Sequence, residues 1–266
     1  MTYNEERKID RCLRSITWAD EIVVIDSFST DRTVEICRRF TDNIYQHPWP
    51  KDYAQQRNIG NRHTTHDWVL SLDADEVMTE SLRKEILDLL NGNPDADSYG
   101  IPRLEYFAGK WITAGGWVPQ YKFYLNRKST GEWGSPIHER FVTRGEKGFL
   151  RNPILHDGMG TFETLLDKFN HYNSIEVKGE LKSDPAKRFS LMKAIFKPLE
   201  RFFARFILKR GYKDGIHGFY IAAVIAINYF LKECKVYEFN YVESMKEKSW
   251  DKLYRDTAVG GNADRR

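Results

Sequence analysis

The sequence predicts an α/β fold: a mostly parallel sheet with helices on both faces, followed by a helical C-terminal region. Strand-like apolar runs alternate with helical patterns through the first third of the chain, and that alternation gives a parallel sheet covered on both sides. One run, Asp67-Trp68-Val69-Leu70-Ser71-Leu72, delivers Asp73-Ala74-Asp75 to a strand end, the rim where open α/β sheets hold ligands. The last third, from Thr161, carries helical patterns.

Asn4 to Ile16 reads as a helix, with Ile9, Cys12, Leu13 and Ile16 at helical spacing. Glu21-Ile22-Val23-Val24-Ile25 is a β-branched run ending at Asp26, the pattern of a buried strand. Ser27-Phe28-Ser29-Thr30-Asp31 is a turn and helix cap. Arg32 to Phe40 reads as a helix, Asn43 to His47 as a short strand and Tyr53 to Arg62 as a helix. Thr79 to Leu90 is a further helix, with Leu82, Ile86, Leu89 and Leu90 on one face and Gly92 beyond its end. Ser98 to Phe107 and Tyr121 to Lys128 read as strands, and Phe141 to Leu150 as a hairpin. Thr161 to Lys182 and Pro185 to Phe196 read as helices. Pro198 to Arg210 is an amphipathic helix, with Pro198 in its first turn and Gly211 as its cap. Gly260 to Arg266 is expected to fray.

The 266 residues are 41% hydrophobic and 30% charged, enough for a globular core. A net charge of +3 gives no argument for nucleic-acid binding. Cys12, Cys37 and Cys234 form no CxxC pair and no disulfide framework, which suits a reducing compartment. The chain opens with polar Met1-Thr2-Tyr3-Asn4-Glu5-Glu6, so no signal peptide is expected. The longest apolar stretch, Phe219 to Leu231, is interrupted by Asn228 and falls short of the roughly 20 residues a spanning helix needs.

Residues two apart in an extended segment face the same way, so Asp73 and Asp75 can meet one ligand together. Adjacent carboxylates repel unless a cation or proton relieves them. Hard divalent ions, Mg²⁺ or Mn²⁺, take oxygen ligands and bridge to substrate phosphates. A nucleoside diphosphate would use rim acids for a base N–H, for ribose and for the metal. Asp26 supplies a further rim acid, and Arg57 can reach base or phosphate. The alternative is a solvated strand-to-helix turn with Thr79 as cap.

Thr2-Tyr3-Asn4-Glu5-Glu6, Asp26-Ser27-Phe28-Ser29-Thr30-Asp31, Arg57-Asn58-Ile59-Gly60 and Leu72-Asp73-Ala74-Asp75-Glu76 occur in that order. This ordered set resembles the inverting family 2 glycosyltransferases of the GT-A fold, a Rossmann-type architecture. The resemblance covers residue 1 to about 80 and continues more weakly to about 160. It implies a nucleotide site of Thr2, Asn4, Glu5, Asp26, Arg57 and Asp73, with Asp26 at uracil and Asp73 near ribose. It also implies Asp75 as the metal ligand, Mg²⁺ or Mn²⁺ as the metal and a UDP-sugar as donor. Residues 1–160 would form the catalytic domain that binds nucleotide sugar and acceptor, and residues 161–266 a helical extension. The sequence departs from the family in two ways: Phe28 stands where glycine is usual, and the hydrophobic first strand before Thr2 is missing.

Inverting transfer needs a base to take the acceptor proton opposite the departing diphosphate, and a metal stabilises the leaving charge. The resemblance gives that role to a carboxylate beyond the DxD pair. Trp133-Gly134-Ser135-Pro136-Ile137-His138-Glu139 offers Glu139. The His138-Glu139 pair, with Gly116-Trp117 and Pro119, resembles bacterial enzymes that glucosylate the lipopolysaccharide inner core. The implied reaction moves glucose from UDP-glucose to a heptose-containing core or another lipid-linked or cell-surface saccharide. Glu139 can instead pair with Arg140 or Arg144. His156 is a candidate metal ligand or a group that orients one, or else a structural histidine. Trp117, Trp133, His138 and Tyr106 are candidate acceptor contacts; for the aromatic rings the alternative is core packing.

Lys193, Lys197, Arg201, Arg205 and Lys209 recur every four residues, and only Glu200 is acidic between Lys187 and Lys213. This is either a solvated helix face or a peripheral contact with an anionic membrane. The expected location is cytoplasmic, at the cytoplasmic face of the inner membrane. Two other functions compete with sugar transfer. One is a haloacid-dehalogenase-like phosphohydrolase with Asp73 as nucleophile and Asp75 as acid/base. The other is a non-enzymatic membrane-surface binding protein built on the basic helix.

Overall fold

The computed structural model describes residues 1–134 and 139–245. The chain divides into two compact units, Met1–Gly160 and Thr161–Arg266. The first begins with α1 (Ile9–Arg14), β1 (Val24–Asp26), α2 (Thr33–Cys37), β2 (Ile44–Gln46), α3 (Tyr53–His63) and β3 (Trp68–Leu70). It continues through β4 (Glu76–Met78), α4 (Glu80–Asn91), β5 (Ser98–Phe107), β6 (Lys110–Ile112) and β7 (Gln120–Arg127). It ends with β8 (Gly131–Gly134), β9 (Arg140–Thr143), β10 (Lys147–Phe149) and β11 (Ile154–His156).

The sheet is mixed. β1 pairs with β2 in parallel, and Thr2 adds a parallel bridge to Asp26. No strand precedes β1 among the described residues. The larger sheet runs β3-β7-β5-β11-β4, with β6 and β10 also paired to β5. β5 is parallel to β10 and β11 but antiparallel to β6 and β7. The backbone of Met1 and Thr2 joins the two strand systems. The Met1 amino group donates to the Leu72 carbonyl at 3.1 Å, and Thr2 N–H donates to Ile25 O at 2.9 Å.

α1 is shorter than its apolar spacing suggests. Asn4 takes a left-handed backbone (φ 53°), and its side-chain oxygen accepts from Thr30 N–H at 2.8 Å. Residues 2–6 therefore clamp the loop after β1 instead of extending the helix. The expected hairpin over Phe141 to Leu150 does not form. β9 pairs with β8, whereas β10 pairs with β5. Phe141 packs on Trp133 and Phe149 on Phe123, so the two aromatic anchors pull the strands to different sheets.

One core joins α3, α4 and the larger sheet through Ala54, Leu82, Ile86, Ile101, Tyr124, Leu125 and Ile154. A second joins Ile9 and Leu13 of α1 to Val24, Ile36 and Ala74. Thr79 caps α4 by accepting from Leu82 N–H.

The second unit contains α5 (Phe162–Ser183), α6 (Leu191–Phe203) and α7 (Ile216–Met245). α6 starts at the Ser190 cap, runs through Pro198 and continues as a π-helical turn over Ala204–Leu208. The two separate helices expected here are therefore one, because the Ser190 hydroxyl satisfies the Lys193 N–H and sets the start. Arg210, not Gly211, adopts the left-handed backbone at its end. Gly211 is needed for room: a Cβ there would lie 2.8 Å from Arg205 O.

Candidate active site

Arg57 organises the site. Asp52 caps α3, and Asn58 exchanges two hydrogen bonds with the Trp133 backbone, which fixes α3 against β8. The Arg57 side chain is 1% exposed and lies between the rings of Tyr124 and Trp133, at 4.8 and 4.9 Å. Its Nη2 donates to both Asp73 carboxylate oxygens, at 2.9 and 3.1 Å, and to Glu139 Oε1 at 3.1 Å. Burial works against the guanidinium charge, but Asp73, Tyr124 and Glu139 outweigh it and hold its pKa above the ordinary value. Burial also opposes the charge on Asp73. Arg57, the Met1 amino group and His156 overcome that penalty and hold its carboxyl below the usual range. Glu139 therefore pairs with Arg57, not with its neighbours Arg140 or Arg144.

Asp75 and His156 form the second corner. The β11/β4 and β11/β5 pairings bring His156 opposite Glu76 and Glu105. His156 Nδ1 meets Glu105 Oε2 at 2.5 Å, and its Nε2 faces Asp75 Oδ2 at 3.5 Å. Burial would lower the imidazole pKa, but its hydrogen bonds to Asp75 and Glu105 raise it to about 9. Arg103 holds Glu105 at 2.7 Å and approaches Glu76 at 3.7 Å. Glu76 accepts from Asp73 N–H, and burial together with the Asp73 charge pushes its carboxyl up to about 7.

Among the described residues no group of three or more His, Cys, Asp or Glu is placed to hold a metal by itself. The Asp75–His156 corner would hold a divalent ion once His156 gives up its Nε2 proton, since an imidazolium has no lone pair to offer. It offers one carboxylate and one imidazole nitrogen, and Glu105 fixes the imidazole from behind. Gly158 keeps the corner open: a Cβ there would lie 2.2 Å from His156 Nε2 and 3.1 Å from Asp75 Oδ2.

The remaining expected nucleotide residues line the β1 end. Asp26 is fully buried, and its carboxylate accepts from Ser29 N–H, the Ser29 hydroxyl and Gln46 Nε2. Asn4 holds the same loop, where Phe28 has φ 60°. That left-handed backbone explains why glycine suits position 28. The Thr2 hydroxyl is buried without a partner. Burial raises the Glu5 carboxyl, Lys8 opposes this and Asp75 adds to it, which puts Glu5 within electrostatic reach of Asp75.

The acceptor candidates separate. Trp133 is buried against Arg57, Tyr124 and Phe141, so it is a packing residue. Tyr106 packs on Trp111 and occupies the face of β5 opposite Glu105, away from this cluster. Trp117 is half-buried in the turn after β6. His138 lies outside the described residues. Sequence reasoning missed Glu76, Arg103, Glu105 and Tyr124. The available signal was a pair of opposite charges, Arg103 and Glu105, two apart inside a strand and hence on one face.

The model of glycosyl transferase family 2 matches residues 1–171. The chain belongs to glycosyltransferase family 2. It is 27% identical over 244 residues to the lipopolysaccharide core biosynthesis glycosyltransferase LpsC of Rhizobium meliloti, covering 88% of this chain and 89% of that protein. It is 28% identical over 254 residues to the uncharacterized glycosyltransferase RT0209 of Rickettsia typhi, covering 90% and 85%. Among solved structures, S. aureus TarS 1–349 in complex with UDP matches with a TM-score of 0.44 and 14% identity over 87% of this chain and 88% of that one. Family membership makes the chain a glycosyltransferase and displaces both the phosphohydrolase and the non-enzymatic scaffold.

Proposed function

We propose that this glycosyltransferase transfers a hexose, with inversion at its anomeric carbon, from UDP-glucose to a lipopolysaccharide core or a related lipid-linked cell-surface saccharide. The observation that carries the reading is the sharing of one Arg57 nitrogen by Asp73 and Glu139, at 2.9 and 3.1 Å. The first acid of the DxD pair and the expected base thus belong to one cluster. Glu139 takes the proton of the acceptor hydroxyl as its oxygen attacks the anomeric carbon, and the nucleoside diphosphate leaves from the other side. Asp73 accepts from ribose. Asp26 would face the base, which requires its bonds to Ser29 and Gln46 to open. Asp75 and His156 would hold Mg²⁺ or Mn²⁺, and the ion would neutralise charge on the leaving diphosphate. Donor and acceptor are inferred from the Gly116-Trp117 and His138-Glu139 resemblance and from the similarity to LpsC.

A thermal-shift panel of nucleoside diphosphates with and without Mn²⁺ tests this reading. A ligand that binds only the folded state stabilises by about 2.7 kcal/mol at a hundredfold excess over Kd. UDP with Mn²⁺ is expected to give the largest shift, and Asp75→Asn to reduce the metal-dependent part. No shift with UDP and metal on folded protein contradicts the proposal.

A further inference from the structure

We propose that the α6 face of the second unit is a docking surface for an anionic lipid bilayer. Leu191, Met192, Ile195, Phe196, Leu199 and Phe203 are exposed. They recur at spacings of three and four, which puts them on one side of the helix. The stripe continues into the π-helical turn, where Leu208 is 79% exposed. Ala194 is the buried residue of α6, so this helix shows its apolar side to solvent instead of to a core. A continuous apolar patch of this kind on a protein surface marks an interaction site.

Charge names the occupant. Residues 187–213 hold nine Lys or Arg and one acid, Glu200, in a chain whose net charge is +3, so the rest of the chain is net acidic. Lys193, Lys197, Lys209, Arg210 and Lys213 are exposed in this segment. Lys197 neutralises Glu200 at 2.7 Å. Arg201 lies 5.0 Å over the Tyr229 ring and Arg205 is half-buried, so these two of the five expected basic residues serve packing. An apolar stripe edged by amines matches the acyl boundary and phosphate layer of a bilayer, with lysine stems lying along the apolar surface and ammonium groups reaching outward. The same charge argues against a second copy of this chain. A symmetric contact would oppose two strongly basic segments. No helix among the described residues is long and apolar enough to cross a membrane, so the contact envisaged lies in the interface plane.

The test is flotation of the full chain with vesicles of phosphatidylcholine alone or mixed with phosphatidylglycerol. Binding is expected to be about a hundredfold or more stronger to the anionic vesicles, since each basic residue near such a surface adds attraction, and to weaken as salt rises. Leu199→Glu with Phe203→Glu is expected to abolish binding, and Lys193→Glu with Lys197→Glu to lower it by about 30-fold or more. All four side chains are exposed, so the melting temperature and any shift with UDP should stay unchanged in both variants. Equal binding to both vesicle types overturns the proposal, as does binding that survives Leu199→Glu with Phe203→Glu. Failure to bind vesicles, with a dimer that this variant dissociates, also overturns it and assigns the face to a second copy. These outcomes concern the second unit alone and leave the sugar-transfer reading standing.

Discussion

Arg57 concentrates the charge of the site in one buried side chain. Removing one partner of a buried ion pair strands the other, at a cost of about 3–5 kcal/mol. Arg57→Ala strands both Asp73 and Glu139 and is expected to fall in that range in urea denaturation. Arg57→Lys keeps the charge but loses the planar guanidinium over Tyr124 and Trp133 and the Nε donor toward Glu139, so a smaller loss is expected; equal stability of wild type and alanine variant would refute the role. Gly158→Ala tests the metal corner. The added Cβ must displace the His156 ring from its buried bond to Glu105, so any stabilisation by Mn²⁺ with UDP should disappear and the urea midpoint should fall as well. An intact Mn²⁺-dependent shift would remove His156 from the corner.

At the scale of elements, α1 and α2 each bury a cysteine. Burial pushes the Cys12 thiol up to about 12 and the Cys37 thiol up to about 11. Only the thiolate reacts, and raised pKa values leave little of it near neutral pH. In the folded protein a thiol reagent should label Cys234, which is half-buried, and should reach Cys12 and Cys37 only after denaturation. Early labelling of either would show that these short helices open readily. The elements that were legible in the sequence have self-contained signals. α4 has its Thr79 cap and the Leu82 and Ile86 face, and β5 and β7 are long runs. The failures came where a pattern has more than one possible partner. Alternation in Phe141 to Leu150 indicates strands but not that β9 joins β8 while β10 joins β5. The site was legible in the same measure. Motif order pointed to Arg57, Asp73 and Asp75, and the Trp133 to Glu139 segment to Glu139, and Arg57 does bond Asp73 and Glu139, but Glu105 reaches His156 only through the β5/β11 register.

For the whole molecule, charge is divided unevenly: the basic excess sits in residues 187–213. The matched family model, in contrast, covers residues 1–171 and includes every acid of the cluster. The proposed sugar transfer draws on residues of the first unit and the proposed surface contact on residues of the second, each testable without the other. The most direct measurement for the central claim is the rate of UDP release from UDP-glucose, with a lipopolysaccharide core acceptor, by wild type and Glu139→Gln. A positioned general base contributes about 10²- to 10⁴-fold, so kcat should fall by that factor while stabilisation by UDP with Mn²⁺ is retained. Turnover at the wild-type rate by Glu139→Gln would contradict the account, and so would loss of nucleotide stabilisation together with turnover.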